Sequence, residues 1–146
     1  MSPVERGVIE RKLGQIAERL SHLERYAAAG WEPYRASFER RKATEKLLQE
    51  LIEAAIDVNT HVLVELGVGV PQDYYRSFTD LARQGWIPDQ LAGRLAPAAG
   101  LRNRLVHQYA AIDDRKVFDA MRGAIELFPE YVAAIRARLE DESDGA

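Results

Sequence analysis

Apolar side chains recur along most of this chain with the period of an α-helix. In the first such segment they stand at Val4, Ile9, Leu13, Ile16, Leu20 and Leu23, with charged residues between them. Because an α-helix repeats about every 3.6 residues, this spacing places the apolar side chains on one face. Gly30 follows the segment, and glycine commonly ends helices. We therefore predict a first helix over residues 3–29.

Four more segments carry the same pattern, and none shows the sustained alternation of a β-strand. The predicted helices span about residues 34–66, 71–81, 89–111 and 113–140. Gly67 and Gly69 stop the second of the five helices, Pro71 opens the third, and Gly85 with Pro88 separates the third from the fourth. The predicted fold class is all-α, an up-and-down helical bundle of about five helices joined by short loops.

Three local features modify this picture. Pro97 and Pro129 lie inside predicted helices, and a proline has no N–H to donate to the carbonyl four residues earlier. We therefore expect a kink or a short break near each. Residues 140–146 are rich in acidic side chains and are predicted to fray. No repeat or linker divides the chain, which predicts a single domain over residues 1–146.

Composition narrows the class of protein. Apolar residues make up 47% and charged residues 29% of the chain, a balance typical of globular proteins. The absence of cysteine excludes disulfides and thiolate metal sites. Charges interrupt the N-terminal apolar residues, unlike in a signal peptide. The strongly apolar stretch 58–70 contains Asn59, His61 and Glu65 and is too short to span a bilayer. We predict a cytoplasmic protein without membrane association.

The predicted fourth helix carries an unusual set of polar residues. Between residues 90 and 112 there are three arginines, Arg94, Arg102 and Arg104, together with His107, and no carboxylate. Although the whole chain has a net charge of −3, this segment is suited to binding phosphate. On a helical wheel, Arg102 and Tyr109 fall within the apolar stripe formed by Leu91, Leu95, Ala98, Leu105 and Ile112.

The spacing alone leaves two interpretations of this helix open. In the first, Arg102 pairs with a buried acid from the second helix, His107 caps the end of its own helix, and Tyr109 is a core aromatic residue. In the second, these residues act on a phosphate, since an arginine among apolar positions needs an anion or a subunit interface. Arg102 and His107 leave the helix roughly 140° apart. One helix therefore cannot present both on one line. Either the long arginine side chain curls round, or two copies meet across a two-fold axis and pool their residues.

The same residues resemble a known family. The run over residues 100–109 resembles the HEPN domains of the HepT-like group, whose signature is an arginine, four residues, a histidine, one residue and a tyrosine. Arg102, His107 and Tyr109 match this signature position for position. The resemblance extends over roughly residues 40–125.

The resemblance implies an enzyme, a metal-independent endoribonuclease that serves as the toxin of a toxin–antitoxin pair. Such a nuclease uses the 2′-hydroxyl of the RNA as its nucleophile and needs no cofactor. His107 would then move protons, and Arg102 would bind and stabilise the scissile phosphate. Asn103, which usually follows the arginine in the family, would orient them. Arg94 and Arg104 would hold neighbouring phosphates.

The resemblance also implies partners. A minimal nucleotidyltransferase antitoxin would transfer AMP from ATP to Tyr109, and the added phosphates and adenine would neutralise and crowd the cationic cleft. The family forms homodimers that bring two motif copies to one cleft. The alternative function is a non-catalytic helical dimer that binds a nucleotidyltransferase or presents nucleotides to it. A purely structural helical module would make the motif match accidental.

A second polar set lies on the predicted second helix. Asp57, His61 and Glu65 stand four residues apart on one face. Three ligands spread over two helical turns rarely converge on one ion, so we expect no metal site there. A solvated face, or support for the catalytic cleft across the dimer, is the favoured interpretation.

Overall fold

The computed structural model describes residues 1–144 and, within them, every side chain except those of Val4, Tyr109, Ser143 and Asp144. This part of the chain forms seven α-helices and one turn of 3-10 helix, and it contains no strand. The helices are α1 (Pro3–Ala29), α2 (Trp31–Ala36), α3 (Phe38–Glu65), α4 (Tyr74–Arg83), α5 (Asp89–Leu95), α6 (Pro97–His107) and α7 (Asp114–Asp144), with the 3-10 turn Tyr109–Ala111 between α6 and α7. The predicted all-α class is confirmed, and two of the five predicted helices are each divided.

The predicted second helix is divided at Ser37. The backbone of Ser37 is extended, with φ −113° and ψ 109°, and its hydroxyl accepts a hydrogen bond from the N–H of Arg40 at 3.1 Å. Ser37 is therefore the N-cap of α3, and Glu39 in the first turn complements the helix dipole. The residues before it form the separate short helix α2, whose first three residues lie between the first two predicted helices.

The two internal prolines differ in their effect. At Pro97 the helix is interrupted as predicted, because Pro97 is the first residue of α6, where its missing N–H has no partner to lose. At Pro129, by contrast, α7 continues, so the helix has no break at this proline. Phe128 and Tyr131, on either side of this proline, are buried in the core and hold both halves of the helix in place.

One predicted helix start is wrong. α4 begins at Tyr74 rather than near Pro71, because the carboxylate of Asp73 accepts a hydrogen bond from the N–H of Arg76 at 2.7 Å and caps the helix. At the other end of the chain, α7 includes residues 140–144, and the fraying expected of this acidic tail stays a prediction. An ion pair between Arg138 and Glu142, at 3.5 Å, links successive turns there. Residues 145–146 of the predicted tail lie outside the described residues.

The core lies between the three long helices. α1 packs against α3 and α7, while α4 and α6 pack against α3. The apolar face predicted for α1 is confirmed, since Ile9, Leu13, Ile16 and Leu23 are fully buried. Within the described range, no helix is long and apolar enough to cross a membrane.

A buried polar network fixes α4 on α3. The side-chain amide of Asn59 donates a hydrogen bond to the hydroxyl of Ser77 at 3.1 Å, and the hydroxyl of Tyr131 donates to the amide oxygen of Asn59. Burial raises the pKa of Tyr131, so its hydroxyl stays protonated and remains a donor. The Ser77 hydroxyl in turn donates to the carbonyl of Tyr74 at 2.7 Å. The first turn of α4 is thus held against α3 next to the candidate site.

Candidate active site

Arg102 of α6 lies between two helices that supply its partners. Its Nη2 is 3.4 Å from a carboxylate oxygen of Glu53 in α3, and its guanidinium carbon lies 5.2 Å from the ring centre of Tyr74 in α4. Its Nη1 donates to the amide oxygen of Asn103 at 3.2 Å. A carboxylate and an aromatic face are both favourable partners of a guanidinium. The Arg102 side chain is therefore held in one direction from three sides.

The first interpretation expects an acid from the second predicted helix to pair with Arg102, and this acid is Glu53. It is not buried, since 38% of its side chain is exposed, against 16% for Arg102. Solvent therefore reaches the ion pair from the Glu53 side. Glu53 was not among the predicted site residues, although it is the one charge in the otherwise apolar run over residues 51–56. That isolated charge was the available signal.

His107 is the last residue of α6, and it is exposed to solvent. Gln108 ends the helix with φ −129° and ψ 31°, and its N–H donates to the carbonyl of Arg104 at 2.8 Å. Because α6 is regular from Arg102 to His107, the two side chains leave the helix about 140° apart. A single copy of the chain therefore presents the two motif residues on different sides of α6.

Tyr109 begins the 3-10 turn two residues after His107, and its side chain lies outside the described residues. The N–H of Ala111 donates to the carbonyl of Gln108 at 2.9 Å and closes this turn. The helical wheel placed Tyr109 in the stripe of Arg102 by assuming a helix through residue 111. That assumption is wrong, because the α-helix ends at His107.

Arg94 and Arg104 lie together, away from the Arg102 partners. Both line a groove of about 530 Å³ between α6 and α7. Arg94, which comes from α5, pairs with Glu126 of α7 at 3.1 Å. The Arg104 side chain extends along α6 toward Gly100. A Cβ atom added at Gly100 would lie 3.5 Å from the Nη1 atom of Arg104. The predicted phosphate-binding arginines are thus split between two sides of α6.

The polar set of α3 adjoins the Arg102 side. Asp57, His61 and Glu65 line, together with Tyr74, a recess of about 510 Å³. Asp57 also pairs with Lys12 of α1 at 3.0 Å. Within the described part of the chain, no group of three or more His, Asp or Glu side chains is arranged to hold a metal ion. Through Tyr74 this recess is continuous with the surroundings of Arg102.

Comparison with known families identifies the chain. A family model described as ribonuclease HepT-like matches residues 8–135, most of the sequence. The chain belongs to the ribonuclease HepT-like family. The predicted family and the prediction of an RNA-cleaving enzyme are thereby confirmed for this HepT-like chain.

Individual HepT relatives match it over nearly their whole length. The HepT-like chain is 38% identical to the tRNA nuclease HepT of Aphanizomenon flos-aquae, over 99% of this chain and 100% of that protein. It is 27% identical to the mRNA nuclease HepT of Shewanella oneidensis, over 89% of this chain and 97% of that protein.

A solved structure shows the same architecture. It is described as the tri-AMPylated Shewanella oneidensis HEPN toxin in complex with MNT antitoxin. The similarity has a TM-score of 0.81 at 26% sequence identity, and it covers 94% of this chain and 99% of that one. The order and packing of the helices described above are therefore shared along almost the whole HepT-like chain.

Proposed function

We propose that this protein is the endoribonuclease toxin of a toxin–antitoxin pair and that it cuts RNA with Arg102 and His107, without a metal ion. The setting of Arg102 carries the proposal. Glu53, Tyr74 and Asn103 hold its guanidinium, and solvent reaches it from the Glu53 side. An arginine never loses its charge near neutral pH, and a guanidinium held in advance suits the stabilisation of charge that develops on a phosphate.

In this mechanism His107 is the acid and base. It takes the proton from the 2′-hydroxyl of the RNA, the 2′-oxygen attacks the neighbouring phosphorus, and the bond to the 5′-oxygen breaks as that oxygen gains a proton. The products are a 2′,3′-cyclic phosphate end and a 5′-hydroxyl end. Histidine is suited to both transfers because it titrates near neutral pH. Asn103, through its hydrogen bond to Arg102, orients the guanidinium.

Removal of metal ions is expected to leave this RNA cleavage unchanged, because Arg102 supplies the positive charge that a metal would otherwise provide. Chelator-treated and untreated protein should cut labelled RNA at equal rates, and mass spectrometry should detect a 2′,3′-cyclic phosphate on the product. Activity that disappears with the chelator and returns with Mg²⁺ would contradict the mechanism. An unmodified protein that leaves mixed cellular RNA intact would favour the non-catalytic dimer.

We further infer that two copies pair over the face that carries Arg102. Exposed apolar side chains recur from the end of α3 to the start of α4, at Val64, Leu66, Val68, Val70, Tyr74 and Tyr75. Val64, Val70 and Tyr74 among them line one recess. Tyr74 belongs both to this patch and to the contacts of Arg102. Exposed apolar patches rimmed by polar residues mark interaction surfaces. Pairing across a two-fold axis here would bring both copies of the motif to one cleft, where Arg102 and His107 of different copies could be pooled.

Substitution of Val70 tests this face. Val70 is 76% exposed and so contributes little packing within one copy, which means that Val70→Asp should leave the helical content unchanged while the assembly becomes monomeric. Light scattering after gel filtration measures the mass, and RNA cleavage should fall together with it. Phe38→Asp is the matched control, since Phe38 is 64% exposed and lies outside the patch. A Val70→Asp protein that stays dimeric would place the interface elsewhere.

The antitoxin partner in this proposal is a nucleotidyltransferase that modifies Tyr109. The phenol oxygen of Tyr109 attacks the α-phosphorus of ATP, pyrophosphate leaves, and the tyrosine proton passes to the transferase or to water. Tyr109 lies in the turn that directly follows His107, so each added AMP places a negative charge and an adenine beside the motif. The description of the Shewanella oneidensis toxin as tri-AMPylated and bound to MNT antitoxin supports this regulation.

A further inference from the structure

The groove between α6 and α7 is not used by the mechanism above. Its volume of about 530 Å³ lies within the range of small-ligand sites. Its floor is formed by small and apolar side chains, among them Ala98, Leu101, Leu105, Ile112, Ala120 and Leu127. Leu101, Ile112 and Leu127 are only partly buried, so apolar surface remains open to solvent in the groove. Such a slot suits a flat apolar group.

The rim of the same groove is cationic. Three lining residues, Arg94, Arg104 and Lys116, carry positive charge, against one lining carboxylate, Asp113. The carboxylate of Asp113 already accepts hydrogen bonds from the backbone N–H groups of Arg115 and Lys116, at 3.0 and 3.2 Å. Arg104 and Lys116 are both exposed. An apolar floor below a cationic rim complements a nucleotide, which joins a flat base to an anionic phosphate.

The groove also shares helix α6 with the catalytic motif. Arg104, Leu105 and Gln108 line it, and they lie between or beside Arg102 and His107 along the chain. The side chain of Gln108 can donate and accept hydrogen bonds, as contact with the edge of a base requires. An apolar helix face is a poorer occupant, because it would bury the three rim cations without supplying the anions that a nucleic-acid strand brings.

We propose that this groove is a nucleotide subsite that seats one base of the RNA strand next to the scissile phosphate. The base lies against Leu101 and Leu127, Gln108 contacts its edge, and Arg104 and Lys116 bind the phosphates on either side. The subsite rests on the proposed nuclease function, and it adds to that function a path for the substrate strand and a residue that contacts its base. Arg94 exchanges Glu126 for phosphate when RNA binds, since an exposed ion pair of this kind is weak.

Gly123 allows the groove to be filled without disturbing the core. It lines the groove from α7, and a Cβ added there meets no atom within 4 Å. Leucine also favours helix more than glycine does, so Gly123→Leu should fold at least as well as the natural chain. Gly14 of α1 offers a matched control: it is an exposed helical glycine with the same free space, and it does not line the groove.

The test measures RNA binding in a His107→Ala background, so that the strand stays intact. A fluorescein-labelled single-stranded RNA of mixed sequence is titrated with protein, and anisotropy reports binding. Gly123→Leu is expected to weaken binding at least tenfold, whereas Gly14→Leu should leave it unchanged. Lys116→Ala should lower the slope of log affinity against log salt by about 1. Arg122→Ala removes a charge from α7 outside the groove lining and should leave that slope unchanged.

The outcomes separate this proposal from the nuclease proposal. If Gly123→Leu binds RNA as tightly as Gly14→Leu does, the subsite is wrong even if the natural protein cuts RNA. If Gly123→Leu changes only the mass of the assembly, the groove is a protein interface and the subsite is likewise wrong. If Gly123→Leu weakens RNA binding but the unmodified protein cuts no RNA, the groove still binds RNA and the cleavage mechanism is wrong.

Discussion

Replacing His107 with alanine is expected to lower the rate of RNA cleavage by about 10²- to 10⁴-fold, the usual contribution of a positioned acid or base. His107 is exposed at the end of α6 and packs into no core, so the substitution should leave the thermal unfolding of the protein unchanged. Single-turnover cleavage at saturating protein measures the chemical step apart from RNA binding. His22→Ala is the matched control, since His22 lies in α1 and contacts Arg25 instead of the motif.

Two substitutions of Arg102, measured in the same assay, distinguish the contribution of its charge from that of its hydrogen-bonding geometry. Arg102→Lys keeps the positive charge but loses the planar fork of donors that contacts Glu53 and Asn103, and we expect it to recover little of the rate. Arg102→Ala removes the charge as well and leaves Glu53 without its partner. Cleavage by His107→Ala or Arg102→Ala at the natural rate would remove these residues from the mechanism and leave the family fold without an assigned site.

Tyr109→Phe is expected to abolish silencing by the antitoxin, because phenylalanine keeps the ring and lacks the oxygen that accepts AMP. The measurement is the ratio of RNA cleavage before and after incubation with the cognate nucleotidyltransferase and ATP. This ratio should exceed about 10² for the natural chain, the size expected when the acid–base step is blocked. It should stay near one for Tyr109→Phe. Intact-mass spectrometry should show added AMP only where Tyr109 is present.

Two controls make this result specific. Tyr26→Phe removes a tyrosine hydroxyl from α1, away from the motif, and should be silenced like the natural chain. Incubation without ATP should leave cleavage unchanged in every variant, since the AMP comes from ATP. Silencing of the natural chain without any gain in mass would show that the antitoxin acts by covering the cleft instead of by modifying Tyr109.

Several features of the fold follow from neighbouring residues and were predictable from the sequence. The apolar face of α1 needs only the 3.6-residue period, and all of its central positions are buried. Arg102, Asn103 and His107 share one helix because their spacing is local. Errors arose where a short-range signal was overlooked: Ser37 and Asp73 each cap a helix inside a run that otherwise continues the pattern. Caps act through one hydrogen bond, which periodicity does not register.

The amino-acid sequence was enough to assign the helical class, the main apolar faces and the motif. The surroundings of that motif depend on how the helices pack. Glu53 lies 49 residues before Arg102, and nothing local couples the two; their ion pair exists because α3 and α6 pack side by side. The groove between α6 and α7 likewise brings Arg104 and Lys116 to one rim. Hydrogen bonds within a helix are set by residues a turn apart, whereas contacts between helices depend on packing that every buried side chain influences.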